Sequence, residues 1–205
     1  MNQEIQPTRR ERNTTQRRET IVQAALHCFV EKGFHQASMR DIATQAGVSV
    51  GNVYNHFPAK DALIAEIAAL EMQELHPLLE ALEQADPLEG LLYFAKRYAA
   101  ICMQPDNVML TSEVIAEAAR NPALAALFAQ NHNVLVAALS RTLKRGMAVG
   151  ELDATLPPSA TAALMLDAIE GHALRAALFA PKASSLKHAK EDLAALLRKL
   201  LAKRD

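Results

Sequence analysis

The sequence predicts an all-α protein of about nine helices, with an N-terminal three-helix domain followed by a larger helical domain. Half of the 205 residues are hydrophobic, only 4% are aromatic and tryptophan is absent. Alanine and leucine therefore dominate the apolar positions, and both favour helices. Prolines also precede most of the periodic apolar segments, where they suit the first turn of a helix.

The first helix follows a polar segment. Residues 1–16 carry Arg9, Arg10 and Arg12 and are predicted to be a disordered basic arm. Two interpretations stay open for it: a solvated tail, or an arm that reaches a DNA minor groove, as the basic arms of some DNA-binding proteins do. Helix 1 is predicted over residues 17–32. Its apolar positions recur every four residues, at Ile21, Ala25 and Phe29, and the helix stops at Gly33.

Residues 38–57 predict a helix, a glycine turn and a second helix. Ser38 and Ser49 are N-caps, and Asp41, three positions after Ser38, forms a weak capping box with it. Gly47 lies where the first helix must end, and glycine accepts a positive φ without steric cost. This arrangement is typical of a helix-turn-helix motif.

The second helix of the motif is predicted to bury Val53 and Phe57, four residues apart. Its outer surface is small and polar and almost uncharged, consisting of Val50, Gly51, Asn52, Tyr54, Asn55 and His56. Such a surface suits a groove in which base edges and phosphates are read. The alternative is an ordinary helical hairpin in a bundle, which the two caps, the glycine and the aromatic exit of the motif make the weaker interpretation.

At these residues the sequence closely resembles the TetR family of bacterial transcriptional regulators. The resemblance covers residues 17–70. It is carried by Ile21, Ala24, Ala25, Phe29, Gly33, Phe34, Ser38, Met39, Arg40, Asp41, Ile42, Ala43, Ala46, Gly47, Val48, Ser49, Gly51, Tyr54, Asn55, His56, Phe57 and Lys60. The rest of the chain resembles the family in length and helix number only.

The resemblance implies roles for individual positions. Family members contact phosphates at the positions of Ser38, Tyr54, His56 and Lys60, and some reach a base edge at the position of Arg40. The remaining implied contacts, to bases or the adjacent backbone, are Ser49, Val50, Gly51, Asn52 and Asn55. Arginine pairs with guanine, and asparagine at either of two positions would pair with adenine. For His56 the alternative is a packed ring that closes the motif.

The charge distribution agrees with DNA binding by the first third of the chain. Residues 1–60 hold eight Lys/Arg and five Asp/Glu, a balance of +3, whereas residues 61–205 hold 14 and 18, a balance of −4. A net charge of −1 therefore hides a basic N-terminal domain. Phosphate contacts release counterions, so DNA binding is expected to weaken with salt.

The domain boundaries follow from these patterns. Residues 17–60 are predicted to form the DNA-binding domain and residues 61–205 a ligand-binding and dimerisation domain. Helix 4 begins at Pro58 or Ala59, and Pro77 predicts a kink or break near His76 because proline lacks an N–H donor. The later helices are predicted over residues 87–103, 105–120, 122–149, 158–179 and 184–203.

The last two helices carry candidate dimer contacts. Two-fold helix-turn-helix dimers read paired half-sites, so we expect a homodimer on a pseudo-palindromic operator, formed through a four-helix bundle that the resemblance also implies. The interface candidates are Leu164, Asp167, Gly171, Leu174, Arg175, Leu178, Leu193, Leu196, Leu197 and Leu200. The alternative is that these side chains pack within one chain.

In the family, helices 4 to 8 enclose a small-molecule site. Methionine and alanine would give an adaptable apolar wall, and a few polar groups would orient a ligand. The candidates are Leu92, Tyr98, Cys102, Met109, Glu113, Glu117, Phe128, His132, Met165, Ile169 and His172. Inward-facing glutamates would favour a cationic ligand and inward-facing histidines a neutral or anionic one. The alternative is that all of these residues are core.

Other functions find little support in the sequence. No catalytic constellation, metal-ligand spacing or cofactor-binding loop is visible, so no enzyme, metal or cofactor is expected. Cys28 and Cys102 are expected to be reduced, with a redox switch as the alternative. No apolar run approaches the ~20 residues that span a bilayer, and no signal core opens the chain, so a cytoplasmic protein without membrane contact is predicted.

The predicted function is a ligand-responsive, DNA-binding transcriptional regulator, a repressor that a small molecule releases from its operator. The alternative is an activator or a protein-binding adaptor that keeps this fold without a small-molecule effector. The sequence leaves the effector, the operator and the regulated genes open.

Overall fold

The computed structural model describes residues 9–203, with side chains from residue 12 onward. That part of the chain holds nine helices and no strand. The helices are Arg9–Gln36 (α1), Met39–Gln45 (α2), Val50–His56 (α3), Lys60–Gln84 (α4), Pro87–Cys102 (α5), Pro105–Ala118 (α6), Pro122–Ala148 (α7), Pro158–Phe179 (α8) and Ala183–Leu201 (α9). The predicted all-α class is confirmed, and an isolated bridge between Leu152 and Ala202 is the extended pairing seen here.

The chain divides into two compact units, Met1–Leu70 (unit 1) and Glu71–Asp205 (unit 2). The division falls inside α4, after residue 70, whereas the sequence predicts it after residue 60, at the start of that helix. One helix therefore supplies its first turns to unit 1 and its remaining turns to unit 2. Pro58 indicated the start of α4, but no residue pattern indicated the change of packing partner within the helix.

Helix α1 begins at Arg9, eight residues before the predicted start at residue 17. The predicted disordered arm is therefore wrong for residues 9–16, where polar residues that lack glycine and proline extend the helix of the apolar segment. Residues 1–8 lie outside the described residues. At its other end Gly33 has φ 78° and ψ 162°, so the helix is interrupted there as predicted before a last turn reaches Gln36.

Apolar side chains from all four of its helical segments fill the core of unit 1. The predicted positions Ile21, Ala25 and Phe29 of α1 are fully buried. Phe29 and Phe34 meet edge to face, with ring centroids 4.8 Å apart. The other buried members include Ile42, Val53, Phe57, Leu63 and Ile64. This core holds α2 and α3 against α1 and the start of α4.

Unit 2 packs α5, α7, α8 and α9 around a larger core. Its fully buried residues include Leu82, Leu91, Phe94, Leu139, Leu143, Leu166 and Ile169. Phe94 and Tyr98 stack with centroids 5.4 Å apart. Gly146 is required where α7 approaches its neighbours, because a Cβ there would lie 2.6 Å from Leu152 and 2.8 Å from Pro87.

Of the predicted kink or break near His76, the break is wrong, because α4 continues as one helix through Pro77. Proline in a helix interior costs about 3 kcal/mol. Leu75 and Leu82, on either side of it, are buried in the core of unit 2, and their burial holds the helix together across the proline. Arg145 of α7 then closes the C-terminal end of α4 by donating to the carbonyls of Leu82, Glu83 and Ala85.

Within the described residues one helix, α7, is long and apolar enough to cross a membrane by length and composition alone. The sequence prediction of no such segment overlooked it. Its middle carries the polar run Gln130, Asn131, His132 and Asn133. Within unit 2 the helix packs against α5, α6 and α8.

Candidate nucleic-acid interface

The first helix of the motif is capped as the sequence predicts. The backbone N–H of Asp41 donates to Ser38 Oγ at 3.2 Å, and the backbone N–H of Ser38 donates to the Asp41 carboxylate at 2.9 Å. Lys32 of α1 adds a 2.6 Å ion pair to the same carboxylate. The hydrogen bonds from Lys32 and Ser38 hold the pKa of Asp41 well below its usual range. Asp41 is thus ionised and fixed, and α2 begins at one defined residue.

The turn and the second helix also follow the prediction. Gly47 has φ 65°, a left-handed conformation that side chains rarely adopt. Ser49 caps α3 by accepting a 3.2 Å hydrogen bond from the backbone N–H of Asn52. Val53 and Phe57 are buried, at 0% and 1% exposure. One face of α3 is therefore anchored in the core of unit 1, and the opposite face is left outside.

Most of the predicted DNA-contact residues are exposed, either on the outer face of α3 or on α2 and the N-caps of the two helices. Tyr54 is 50% exposed, and half-exposure of a large aromatic ring in a small unit is consistent with a contact role. The other exposed members are Ser38, Arg40, Ser49, Gly51 and Asn55. Val50 and His56 are half-buried. Thr44 and Gln45 of α2, which the sequence analysis does not single out, are exposed beside them.

The structure narrows the adenine-pairing candidates on α3. Bidentate pairing with adenine needs both polar atoms of an asparagine at the surface. Asn52 Oδ1 is buried and has no hydrogen-bond partner among the described residues, whereas Asn55 is exposed. Asn52 therefore does not present the pattern that the sequence suggests for it, and Asn55 does.

Lys60, a predicted phosphate contact, has hydrogen-bond partners within unit 1. Its Nζ donates to the backbone carbonyls of Phe34 and Ala37, the latter at 3.4 Å. The side chain is half-buried and ties the first turn of α4 to the segment that precedes α2. An ammonium has three donors, so two carbonyl contacts leave one donor of Lys60 that could contact DNA.

Sequence reasoning missed a cluster centred on Arg18 of α1. The Arg18 guanidinium donates to both carboxylate oxygens of Glu66 in α4, at 3.0 and 2.7 Å. A third donor reaches the carbonyl of His56, the last residue of α3, at 3.3 Å. The guanidinium also lies 4.3 Å from the centroid of the Phe57 ring. The partners are 38 to 48 residues from Arg18, so no local pattern could have revealed them.

In unit 2 the predicted ligand-site residues separate into groups. Tyr98 is 5% exposed and donates a 2.9 Å hydrogen bond to Glu170 Oε1, a residue that the sequence analysis missed. Burial, with the nearby Cys102 and carboxylates, raises the pKa of the Tyr98 hydroxyl. Burial likewise raises the pKa of the Cys102 thiol to about 12, so Cys102 is a protonated thiol near neutral pH.

The other candidates of that group divide between core and surface. Leu92, Met165 and Ile169 are buried members of the unit 2 core. Half-buried positions are taken by Glu113, Glu117, Phe128 and His132. Two predictions need correction: Met109 is 45% exposed, and the exposed His172 pairs with the carbonyl of Ala189 in α9 at 3.2 Å.

The predicted dimer contacts also divide. Leu193 and Leu197 are buried in the core of their own chain, so their assignment to an interface was wrong. The reason is that α9 has two apolar stripes, of which the inner one packs on α5 and α8. Four leucines of the outer stripes stay exposed, at 46 to 69%: Leu164, Leu178, Leu196 and Leu200. Asp167 and Arg175 are exposed, Leu174 and Gly171 are half-buried, and a Cβ on Gly171 would meet nothing within 4 Å.

Two family profiles match this chain, one on each side of the division in α4. Residues 21–67 match the bacterial regulatory proteins of the tetR family. Residues 89–198 match the C-terminal domain of AefR-like transcriptional repressors. The second profile alone covers more than half of the chain, and the first covers the whole helix-turn-helix motif.

Individual proteins agree with these profiles. The HTH-type transcriptional regulator UidR of Escherichia coli (strain K12) is 29% identical over 175 residues, which are 83% of this chain and 82% of UidR. The structure of Salmonella enterica GusR superposes with a TM-score of 0.73 at 27% identity, over 89% of this chain and 96% of GusR. Bacillus subtilis FadR, solved in complex with stearoyl-CoA, gives a TM-score of 0.77 at 20% identity, over 87% and 96%.

The capped helix pair, its exposed polar face and the two profile matches lead to one conclusion. The chain belongs to the TetR family of bacterial regulatory proteins and is a DNA-binding transcriptional regulator with an AefR-like C-terminal domain.

Proposed function

We propose that this protein is a cytoplasmic homodimeric repressor that binds a pseudo-palindromic operator and is released from it by a small molecule bound in unit 2. The observation that carries the proposal is the α2–α3 pair, which is capped at both helix starts and presents a polar, exposed outer face. One such face makes few base contacts, and two related by a two-fold axis double them.

The DNA contacts divide by chemistry. Arg40 and Asn55 are exposed and have the donor and acceptor groups that read guanine and adenine, respectively. Ser38, Tyr54 and His56 place hydroxyl and imidazole groups where phosphates would pass, and Lys60 adds a positive charge. The remaining contacts with bases or adjacent backbone are Ser49, Val50, Gly51 and Asn52. The last of these acts through its Nδ2 group, since its Oδ1 is buried.

The dimer interface is formed by the exposed stripes of α8 and α9. Leu164 is 69% exposed and Leu196 is 55% exposed, and large apolar side chains at this level are expected to be covered by a partner. Gly171 lies on α8 with open space beside it, which lets a partner helix approach closely. An isologous four-helix bundle of α8 and α9 from two copies would bury all four outer leucines.

The effector site is built around the Tyr98–Glu170 pair in unit 2. This pair, of which Tyr98 is buried and Glu170 half-buried, joins α5 to α8 and lies near Cys102 and His132. An apolar surrounding with few directed polar groups is what a small-molecule site needs. The fold itself accommodates a ligand in FadR, which was solved with stearoyl-CoA. Ligand binding would shift α4, the helix that both units share, and lower operator affinity by a coupling of about 1–3 kcal/mol.

Selection from random double-stranded DNA tests the DNA-binding part. The full chain is expected to enrich an inverted repeat whose half-sites are one helical turn, about 34–36 Å, apart from centre to centre. Affinity for the enriched operator should fall steeply with salt. Enrichment of a single half-site would contradict binding as a dimer. No enrichment at all would contradict sequence-specific binding.

A ligand screen tests the release. Small molecules that raise the melting temperature of the full chain are added to its complex with the selected operator, because a ligand of the native state stabilises it by mass action. At least one stabilising compound is expected to release the DNA. Compounds that stabilise the protein while leaving operator affinity unchanged would contradict the coupling.

A further inference from the structure

We propose that Arg18 is a positioning residue for DNA recognition: held by Glu66 of α4, it sets the orientation of α3, the helix that reads the operator. The inference rests on the proposed role of α3 as the reading helix. No contact between Arg18 and DNA is required by it. Three elements of unit 1 meet at this one side chain, namely α1, α4 and the C-terminal end of α3.

The ion pair has the geometry of a strong contact rather than of a loose surface pair. Arg18 Nε and Nη2 donate to the two separate oxygens of Glu66, at 3.0 and 2.7 Å. Bidentate pairing of this kind fixes the guanidinium plane as well as its distance. The side chains are 40% and 29% exposed, so solvent screens the pair only in part. Glu66 therefore determines where the remaining donors of Arg18 point.

Those donors point at the end of the recognition helix. The last carbonyls of a helix have no partner within it and carry the negative end of its dipole. Arg18 Nη1 donates to one of them, that of His56, at 3.3 Å. The same guanidinium lies on the face of Phe57, which follows α3 and is buried at 1% exposure. The position of α3 along and about its axis is thus tied to Arg18.

A second contact from α4 holds the other end of the motif. Lys60 donates to the carbonyls of Phe34, in the last turn of α1, and of Ala37, the residue before the N-cap of α2. The first two turns of α4 therefore hold the entrance to α2 through Lys60 and the exit from α3 through Glu66 and Arg18. Bidentate reading of a base needs its donors within a narrow range of positions, so loosening one end costs specific affinity.

The rival explanation is that Arg18 contacts a phosphate directly. The two explanations predict opposite signs for Glu66→Gln, which removes a negative charge but keeps the size of the side chain. If charge alone matters, losing a carboxylate near DNA strengthens binding. If Glu66 positions the recognition helix through Arg18, its loss weakens binding to the operator and leaves binding to unrelated DNA unchanged, because phosphate contacts supply the latter.

The experiment compares Glu66→Gln, Arg18→Gln and the double variant in the full chain, with Glu19→Gln, an exposed carboxylate beside Arg18 in the sequence, as the matched control. The probes are the operator selected by the wild type and a duplex of scrambled sequence. Operator affinity is expected to fall about tenfold in Glu66→Gln and Arg18→Gln, and no further in the double variant, because the two residues act as one unit. The control keeps or slightly raises operator affinity.

Three results would overturn the proposal: unchanged or tighter operator binding by Glu66→Gln, additive losses in the double variant, or a salt slope that falls by about one in Arg18→Gln, the mark of a lost phosphate contact. Parallel loss of operator and scrambled-duplex binding would also count against it, since that indicates unfolding of unit 1. If the wild type selects no operator, the proposed function fails instead, and the two failures are thereby distinguished.

Discussion

The helix-turn-helix of unit 1 and the Tyr98–Glu170 pair of unit 2 are built from polar contacts that span very different distances in the sequence. In the helix-turn-helix of unit 1, the caps join residues three apart, as in Ser38 with Asp41 and Ser49 with Asn52. In unit 2, Tyr98 donates to Glu170, 72 residues later. The short-range bonds leave polar side chains at the surface, where DNA would be read, whereas the long-range bond satisfies polar groups in the interior. Local chemistry thus forms the helix-turn-helix of unit 1, and tertiary packing forms the polar pair in the interior of unit 2.

Two arginines, one in each unit, differ in the acceptors that they bind at the end of a helix. Arg18 in unit 1 and Arg145 in unit 2 each donate to carbonyls at the C-terminal end of a helix, α3 and α4 respectively. Arg145 donates to carbonyls of three residues, whereas Arg18 combines one carbonyl with the Glu66 carboxylate. The end of α4 is therefore closed by backbone acceptors, while the end of the recognition helix also depends on a charge carried by another helix.

The largest effect is expected from removing the reading groups of unit 1. Arg40→Ala combined with Tyr54→Ala should lower operator affinity by about 100- to 1000-fold, because base-edge and phosphate contacts are lost together. Tyr93→Ala in unit 2 is the matched control, since Tyr93 is 52% exposed and Tyr54 is 50% exposed. Fluorescence anisotropy on the selected operator measures both. Equal affinities for the two variants would remove the functional distinction between the units.

A large effect on assembly is expected from Leu196→Glu in α9. A carboxylate placed in an apolar interface must be desolvated, so dimer affinity should fall by about 100-fold or more. Ile115→Glu in α6 is the control, with 57% exposure against 55% for Leu196. Sedimentation equilibrium is expected to find a monomer–dimer mixture for Leu196→Glu and a dimer for Ile115→Glu. The reverse result would move the interface to α6.

Loss of a helix cap tests the comparison at the level of stability. Ser38→Ala and Asn121→Ala remove the N-caps of α2 and α7, and each should destabilise its unit by about 0.5–2 kcal/mol. Hydrogen exchange of the first-turn amides measures the two losses. Operator affinity should fall only for Ser38→Ala. A comparable fall for Asn121→Ala would show that loss of a cap in unit 2 affects DNA binding as much as loss of a cap in unit 1.

The smallest effect is expected from Glu170→Gln and depends on pH. Burial raises the pKa of the Glu170 carboxyl above its ordinary value of 4.5, while the hydrogen bond from Tyr98 and the charge of His132 oppose the shift. Ionising Glu170 therefore costs more in the folded state, so wild-type stability is lost as the pH rises from the unfolded pKa through the folded one. Glutamine keeps an acceptor for Tyr98 and does not titrate.

Melting temperatures at pH 4 and pH 8 measure this effect. Glu170→Gln should gain on the wild type as the pH rises. Glu191→Gln, at an exposed position of α9, is measured beside it as the control for the loss of a carboxyl group. A Glu170→Gln variant that loses stability relative to the wild type at pH 8 would show that the carboxylate is stabilising, and hence paired, in the folded protein.

Much of the fold could be read from local spacing. Prolines at helix starts, the i, i+4 apolar positions of α1 and the positive φ of Gly47 were all predictable, because each depends on residues within one or two turns. Two of the failures have one cause in common. Pro77 stays inside α4, and Leu193 and Leu197 lie in the core, because burial against distant helices outweighs a local preference.

For the candidate site the division is similar. The positions of Ser38, Arg40, Tyr54 and Asn55 on an exposed face follow from two caps and a buried stripe, all encoded within twenty consecutive residues. The hydrogen bonds from Lys60 to backbone carbonyls and the burial of Asn52 Oδ1 depend on how neighbouring segments pack around these two side chains. Spacing along one helix shows which side faces outward but not which side-chain atoms the next helix covers.

The helix-turn-helix of unit 1 is thus encoded locally: its helices, caps and turn need only hydrogen bonds and torsion preferences that act over a few residues. Two other contacts depend on the tertiary structure: Arg18 with Glu66 and His56 in unit 1, and Tyr98 with Glu170 in unit 2. The partners in these contacts are separated by 38 to 72 positions in the sequence, and only folding of the chain brings them within hydrogen-bonding distance. Packing of the apolar core determines which polar groups meet in these contacts. Because that packing is non-directional, it leaves no short-range pattern in the sequence.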